Sequence, residues 1–393
     1  MNAVERRSVG ALAAIYASRM LGLFLLLPVL ALHARELADY SPLLLGLAMG
    51  AYGLTQALLQ IPFGRWSDRY GRKPVITAGL LLFAAGSLIG VFAQSVAMLA
   101  IARGVQGAGA VSAAVTALVA DVTREEVRTR AMAVIGISIG ASFVVALVAA
   151  PALDAAVGVP GIFGIMLAMS AVALVLLHYA VPAEPPRLGG AEGRGLSGML
   201  EIVARPGLRP LYFGMFTLHA IMTATFLSVP QVLQDDLGIA GGDHWQVYLG
   251  VFLASLAGTI PLLLRTERGG PGGALLVLAV ALAAVSQAVL GLDHGRLWLV
   301  LAALTSFFAA FNYLEARLPA LVTRAAGASD RGAALGVFAT SQFLGAFFGG
   351  AAGGLLLRLF GISGVFWGCA VLALAWTALA LRAGEPDAPP ISA

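Results

Sequence analysis

Gly64-Arg-Trp-Ser-Asp-Arg-Tyr-Gly-Arg-Lys73 separates two long apolar runs, 42–63 and 74–93. It sets one acid, Asp68, among four cations: Arg65, Arg69, Arg72 and Lys73. Its two glycines, Gly64 and Gly71, are expected to bracket a short turn. Charges this dense between two apolar helices belong at a water interface, and the surplus of cations points to the cytoplasmic face of a membrane.

The rest of the chain fits that reading. It is 60% hydrophobic and 11% charged, against roughly 25% charged in soluble domains. A soluble fold of 393 residues has too little interior for so much apolar surface, so lipid must be the solvent for much of it. The 48 glycines suit closely packed membrane helices. A net charge of +4 does not imply nucleic acid, because the basic residues gather in short loops. There they read as topology signals and contacts with anionic lipid headgroups. Cys369 is the single cysteine, so no internal disulfide forms. Arg6 and Arg7 precede a stretch long enough to span, and the first helix is expected to stay as a signal anchor.

Breaking the apolar runs at charges, Pro and Gly gives twelve spans: 9–32, 42–63, 74–93, 95–120, 130–153, 160–181, 209–233, 244–264, 274–292, 296–321, 331–357 and 361–383. Each is near or above the roughly 20 residues that a helix needs to cross the hydrocarbon. With both termini cytoplasmic, 18 of the 24 Lys and Arg fall in cytoplasmic segments. Only Arg35, Arg296 and Arg358 fall outside, while Arg19, Arg103 and Arg317 lie within spans. This bias sets the orientation.

Residues 182–208, with Pro182, Pro185 and Pro186, read as a cytoplasmic linker with a short surface helix at 196–204. The chain thus divides into a bundle at 1–181, the linker, a bundle at 209–383 and a tail at 384–393. The bundles resemble each other. Met132–Ser138 matches Leu335–Ser341 at an offset of 203, which also pairs Gly158, Gly161 and Phe163 with Gly361, Gly364 and Phe366. Met20, Phe24 and Pro28 pair with Met222, Phe226 and Pro230 at an offset of 202. The fold expected is all-α integral membrane, with twelve transmembrane helices in two parallel six-helix repeats and a substrate site at their interface.

The pattern Gly-x-x-x-Asp-Arg-x-Gly-Arg-Lys at 64–73 resembles the signature loop of the major facilitator superfamily (MFS), between its second and third helices. Arg103-Gly-Val-Gln-Gly107 is similar to the family's second motif, a buried Arg followed by Gln-Gly. Arg19-Met-Leu-Gly22, Tyr52-Gly-Leu-Thr-Gln56, Ile61-Pro-Phe-Gly64, Ala310-Phe-Asn312 and Thr340-Ser-Gln-Phe-Leu-Gly345 resemble the bacterial YajR-type subgroup of drug/proton antiporters. That subgroup continues into a soluble domain after its last helix, which this chain is expected to lack. One departure concerns span 5. Ala146, Ala150, Pro151, Asp154 and Ala155 stand where MFS antiporters carry Gly-x-x-x-Gly-Pro-x-x-Gly-Gly. Span 1 also lacks the acid found in several multidrug antiporters.

The resemblance implies that Gly64, Asp68, Arg69, Gly71, Arg72 and Lys73 belong to a gate. Asp68 would face the start of span 11 near Arg331, and Arg72 would tie to Asp121. The bland alternative is a set of topological anchors, but anchors need cations, not a fixed Asp and two Gly.

Arg19 and Arg103 lie near the middle of their spans. A charge there costs roughly 2.5–3.5 kcal/mol on insertion scales, so each should face a cavity or a partner. Such a cation either binds an anionic group or is a structural Arg bonded to backbone carbonyls. Glu315 is the clearest acid inside a span, and Asn312 shares its helix face. A poorly solvated carboxylate exchanges protons as access alternates; its alternative is a pair with Arg317 or Arg324. His219 lies mid-span 7 and titrates near neutrality when free. Gln56, Gln106 and Gln342 lie at cavity depths, where polar residues more often join helices.

No phosphate-binding loop or metal-ligand spacing is present, so no enzyme, cofactor or metal is expected. The expectation is a monomeric secondary transporter of the bacterial inner membrane. It would export small amphipathic or metabolite-like solutes in exchange for protons. Proton-coupled uptake, facilitated diffusion, and a non-transporting receptor or scaffold are the competing readings.

Overall fold

The computed structural model describes residues 1–182 and 201–383. Most of the expected linker, the start of its surface helix and the 384–393 tail lie outside the described residues. Among the described residues there is no strand.

Among the described residues, nine helical stretches are long and apolar enough to cross a membrane. Two of these, Glu125–Tyr179 and Asp330–Arg382, are each two legs joined at a glycine. Counting the legs and adding Ala3–Phe24, which is not among the nine, is consistent with the twelve spans. Gly158 (φ 68°) and Gly361 (φ 69°) form the two joints. They sit at the repeat offset of 203 and adopt the left-handed conformation that glycine permits without penalty. Their surroundings repeat too. A Cβ on Gly161 would meet the Val157 side chain, and one on Gly364 the Phe360 side chain, the same offset again.

Helix ends follow local chemistry. Asn2 and Glu5 form a reciprocal capping box at the first helix. Ser95 caps Val96–Ala108 by accepting from the Met98 amide at 3.1 Å. Asp39, from an earlier turn, accepts from the Val96 and Ala97 amides at 2.6 and 3.0 Å. These two amides hold its carboxyl below the usual range.

Two expectations change. Gly64 and Gly71 do not bracket a turn: Pro42–Tyr70 is one helix that runs through Gly64 and Asp68. The Ser67 hydroxyl bonds back to the Gly64 carbonyl at 2.7 Å, and only Gly71, at φ 102°, breaks the chain before Arg72–Val91. Span 4 is not continuous either. It divides into Val96–Ala108 and Ser112–Asp121, and at Gly109, between them, the chain passes so close to the Gly79 carbonyl that no Cβ would fit.

Two compact units emerge. The first comprises the described residues of Met1–Tyr40 and Ala51–Gly193, the second those of Ser41–Gly50 and Arg194–Ala393. The first has an aliphatic core around Leu12, Ile15, Ile76, Leu80, Val115 and Leu118. The second is built on aromatics: Phe226, Phe307, Phe308 and Phe311 contact one another with ring centroids 5.5–6.3 Å apart. Its span 11 carries two glycine stripes. Gly345, Gly349 and Gly353 lie against Phe216, Ala220 and Ala224 of span 7, while Gly350 and Gly354 lie against Gly46 and Pro42. Spacing of four places each stripe on one face and brings backbones into contact.

Candidate functional site

The charged segment is a compact network within the first unit. Arg72 pairs with Asp68 one helical turn back, donates to the Ser67 hydroxyl at 2.7 Å, and reaches Asp121 at the end of span 4 at 3.3 Å. Lys73 donates to the Val181 carbonyl at 2.6 Å. Arg69 lies over the Tyr70 ring at 5.3 Å. One arginine thus joins the end of span 2 to the end of span 4, and the neighbouring lysine adds the end of span 6. Arg331 is exposed at the start of span 11, beside Asp330, which accepts from Arg205 at 2.5 Å.

Deeper in the same unit, Arg19, Gln56, Arg103 and Gln106 come together in two linked groups. Arg19 Nη2 donates to the Tyr52 hydroxyl at 3.0 Å and to Gln56 Oε1 at 3.3 Å. Arg103 Nη1 donates to Gln106 Oε1 at 3.0 Å and to the Gly22 carbonyl at 3.2 Å. Gln106 in turn donates to Ser87 at 2.9 Å. Tyr52 connects the groups, because Arg103 lies 4.8 Å from its ring centroid and Arg19 lies 6.0 Å away. Tyr52 belongs to a quoted motif, yet nothing in the sequence singled it out; only the tertiary fold puts both guanidinium groups on its ring.

The second unit gathers His219, Gln342, Glu315 and Asn312. His219 Nδ1 lies 3.4 Å from the Met215 carbonyl, and its Nε2 lies 2.8 Å from Gln342 Nε2. This fits a neutral imidazole that donates from Nδ1 to the carbonyl and accepts from the amide at Nε2. Glu315 Oε2 is 3.8 Å from the same Nε2, and that oxygen is buried with no hydrogen bond. Asn312 donates to Ser255 at 3.2 Å. Phe311 packs on the imidazole with centroids 5.8 Å apart. The sequence treated Glu315 and His219 as separate candidates and offered Arg317 or Arg324 as partners for the acid. The fold instead makes His219 and Glu315 neighbours, across 96 residues that no spacing rule bridges. Ser255 was missed altogether.

A further cluster also escaped sequence reasoning. His294, in the turn after span 9, contacts Asp236 at 2.8 Å through Nδ1 and Ser363 at 3.1 Å through Nε2. Three loop ends are thereby joined, and each residue taken alone looked like an ordinary surface polar group.

Known proteins resemble the chain throughout its length. The family described as Major Facilitator Superfamily matches residues 12–313 and 211–393. The inner membrane transport protein YajR of Escherichia coli strain K12 is 38% identical over 383 residues, covering 97% of this chain and 84% of that protein. Multidrug resistance protein 1 of Bacillus subtilis strain 168 is 25% identical over 350 residues, 86% of this chain and 87% of that protein. In fold, a bacterial homolog of the human lysosomal transporter Spinster superposes with a TM-score of 0.77 at 15% identity, covering both chains completely. Nine or more apolar helices and an inner-membrane relative of this similarity make the protein a multi-pass inner-membrane transporter acting on small molecules. The chain belongs to the Major Facilitator Superfamily.

Proposed function

We propose that the protein exports small amphipathic or metabolite-like solutes by alternating access, in exchange for protons, as a monomer with both termini in the cytoplasm. The observation that carries this reading is the Glu315–His219 pair. The Glu315 side chain is partly exposed, but one of its carboxylate oxygens is buried without a hydrogen bond, 3.8 Å from an imidazole nitrogen, and that surrounding disfavours a bare negative charge. Protonation removes that charge. Deprotonation leaves a carboxylate that His219 can stabilise only if the imidazole gives up its bond to Gln342 and takes a proton itself. Two protonation patterns therefore correspond to two hydrogen-bond patterns, which is what coupling to a conformational equilibrium requires. At about 2.3 kcal/mol per charge per 100 mV, one entering proton supports a substantial solute gradient.

The similarity to a protein named for multidrug resistance supports amphipathic cargo. Asp68, Arg72 and Asp121, with Gly64, Arg69, Gly71 and Lys73 around them and Arg331 as the proposed counterpart, form the gate in this reading. Gln56, Gln106, Gln342 and Asn312 are its proposed polar contacts. The test is flux in proteoliposomes under an imposed pH gradient, with Glu315→Gln alongside the parent. The reading expects gradient-driven uptake of ethidium by the parent and its loss in the variant, with solute exchange down its own gradient retained. Co-directional movement of proton and solute selects uptake by symport. Saturable binding without any flux selects a receptor.

A further inference from the structure

Arg19 and Arg103 are the most deeply buried charged residues described, 2% and 1% exposed. Among the described residues neither has a carboxylate within ion-pair distance. All their acceptors are neutral: a phenol, two amides and the carbonyls of Gly22 and Leu23. Even so, Arg19 Nε, Arg19 Nη1 and Arg103 Nε make no hydrogen bond. Two positive charges in one apolar bundle, with three donors unused, are far from the usual state of buried ions, which are paired. Within a membrane such charges mark binding sites or ion paths.

The surroundings define what is missing. Guanidinium forks match a planar or tetrahedral oxyanion. The Tyr52 ring, and the Phe83 ring 4.7 Å from Arg19, present an apolar wall beside the charges. The neutral acceptor that an anion would displace is weakly held. Gln56 is bonded at 3.3 Å to Arg19 and at 3.5 Å to both Gln60 and Ser112.

We propose that the Arg19–Arg103 pair is an anion site that takes the carboxylate or sulfonate head of an amphiphilic solute. This adds anionic amphiphiles to the cargo and rests on the transport reading above. An anion leaving an inside-negative cell and a proton entering it both run with the membrane potential, so the two events reinforce each other.

Binding is measurable without flux, which separates this proposal from the transport reading. The purified full chain, in uncharged detergent at an ionic strength set by sodium fluoride, is titrated with naphthalenesulfonate, with uncharged naphthalenemethanol and with chloride, and the unfolding temperature is followed. Saturating naphthalenesulfonate should raise Tm by about 5 °C, and naphthalenemethanol should not. Arg19→Gln and Arg103→Gln should each weaken the response by at least about tenfold, since hydrogen bonds to charged groups are the strong ones. Arg358→Gln, which removes an exposed arginine of the second unit, should keep it. If Arg103→Gln does not fold, Arg19→Gln carries the comparison. An equal response to the uncharged analogue, no response in the parent, or an undiminished response in Arg19→Gln overturns the site. A chloride response that naphthalenesulfonate does not exceed overturns its assignment to cargo.

Discussion

Gly349→Ala should destabilise the second unit although alanine is the better helix former. A Cβ at Gly349 would run into the carbonyl oxygen of Ala220, with the Ala220 Cα at 2.6 Å and carbonyl carbon at 2.7 Å. All three are backbone atoms, so no rotamer change relieves the clash, and spans 7 and 11 must separate. Overpacking of this kind costs about 1–3 kcal/mol. Gly336, on the same helix, has nothing within 4 Å of its Cβ position, so Gly336→Ala should gain the usual propensity difference of about 1 kcal/mol. Because both substitutions gain that propensity, the two variants should differ by the overpacking term, about 1–3 kcal/mol. Their unfolding midpoints in mixed micelles titrated with sodium dodecyl sulfate provide the comparison. If Gly349→Ala proves as stable as Gly336→Ala, the described crossing of spans 7 and 11 is wrong.

Three other outcomes follow from named contacts. Bonds from the Arg124 side chain and the Asn2 amide hold the Glu5 carboxyl down at about 2, from 4.5 in a free chain. A lowered native value gives stability that is full above pH 4.5 and lost as pH falls through 2; Glu5→Gln should flatten stability across that window, as thermal melts at stepped pH would reveal. Asp68→Asn should abolish ethidium flux while leaving membrane insertion and purified yield unchanged; normal flux would remove Asp68 from the gate. His294→Ala breaks contacts to both Asp236 and Ser363 and should increase amide hydrogen exchange at residues 232–239 and 293–296. Unchanged protection there would make the cluster incidental.

The fold was legible because lipid imposes a strong pattern. Long apolar runs, charges at their ends and a repeat offset survive in one dimension, and Gly158 and Gly361 turned out to share one backbone geometry as well as one offset. The helix through Gly64 was not legible, because two glycines and a cluster of charges suggested a turn, whereas the backbone stays helical through Gly64 and Asp68 to Tyr70 and breaks only at Gly71. The break at Gly109 was hidden too, and so was the close approach of the backbone at Gly79, thirty residues away. For the site, the sequence supplied individual residues, and the groups form only in three dimensions. Tyr52 became visible once two arginines met on its ring, and Glu315 gained a neighbour from span 7 that no spacing within its own helix could announce.

The central claim is that solute movement is exchanged for protons through Glu315. The most direct measurement is the internal pH of proteoliposomes that hold a trapped pH-sensitive dye, followed as ethidium or naphthalenesulfonate is added outside. The account predicts that the interior turns alkaline as solute enters with the parent protein and stays unchanged with Glu315→Gln. Solute entry that acidifies the interior, or that leaves its pH untouched in the parent, would contradict it.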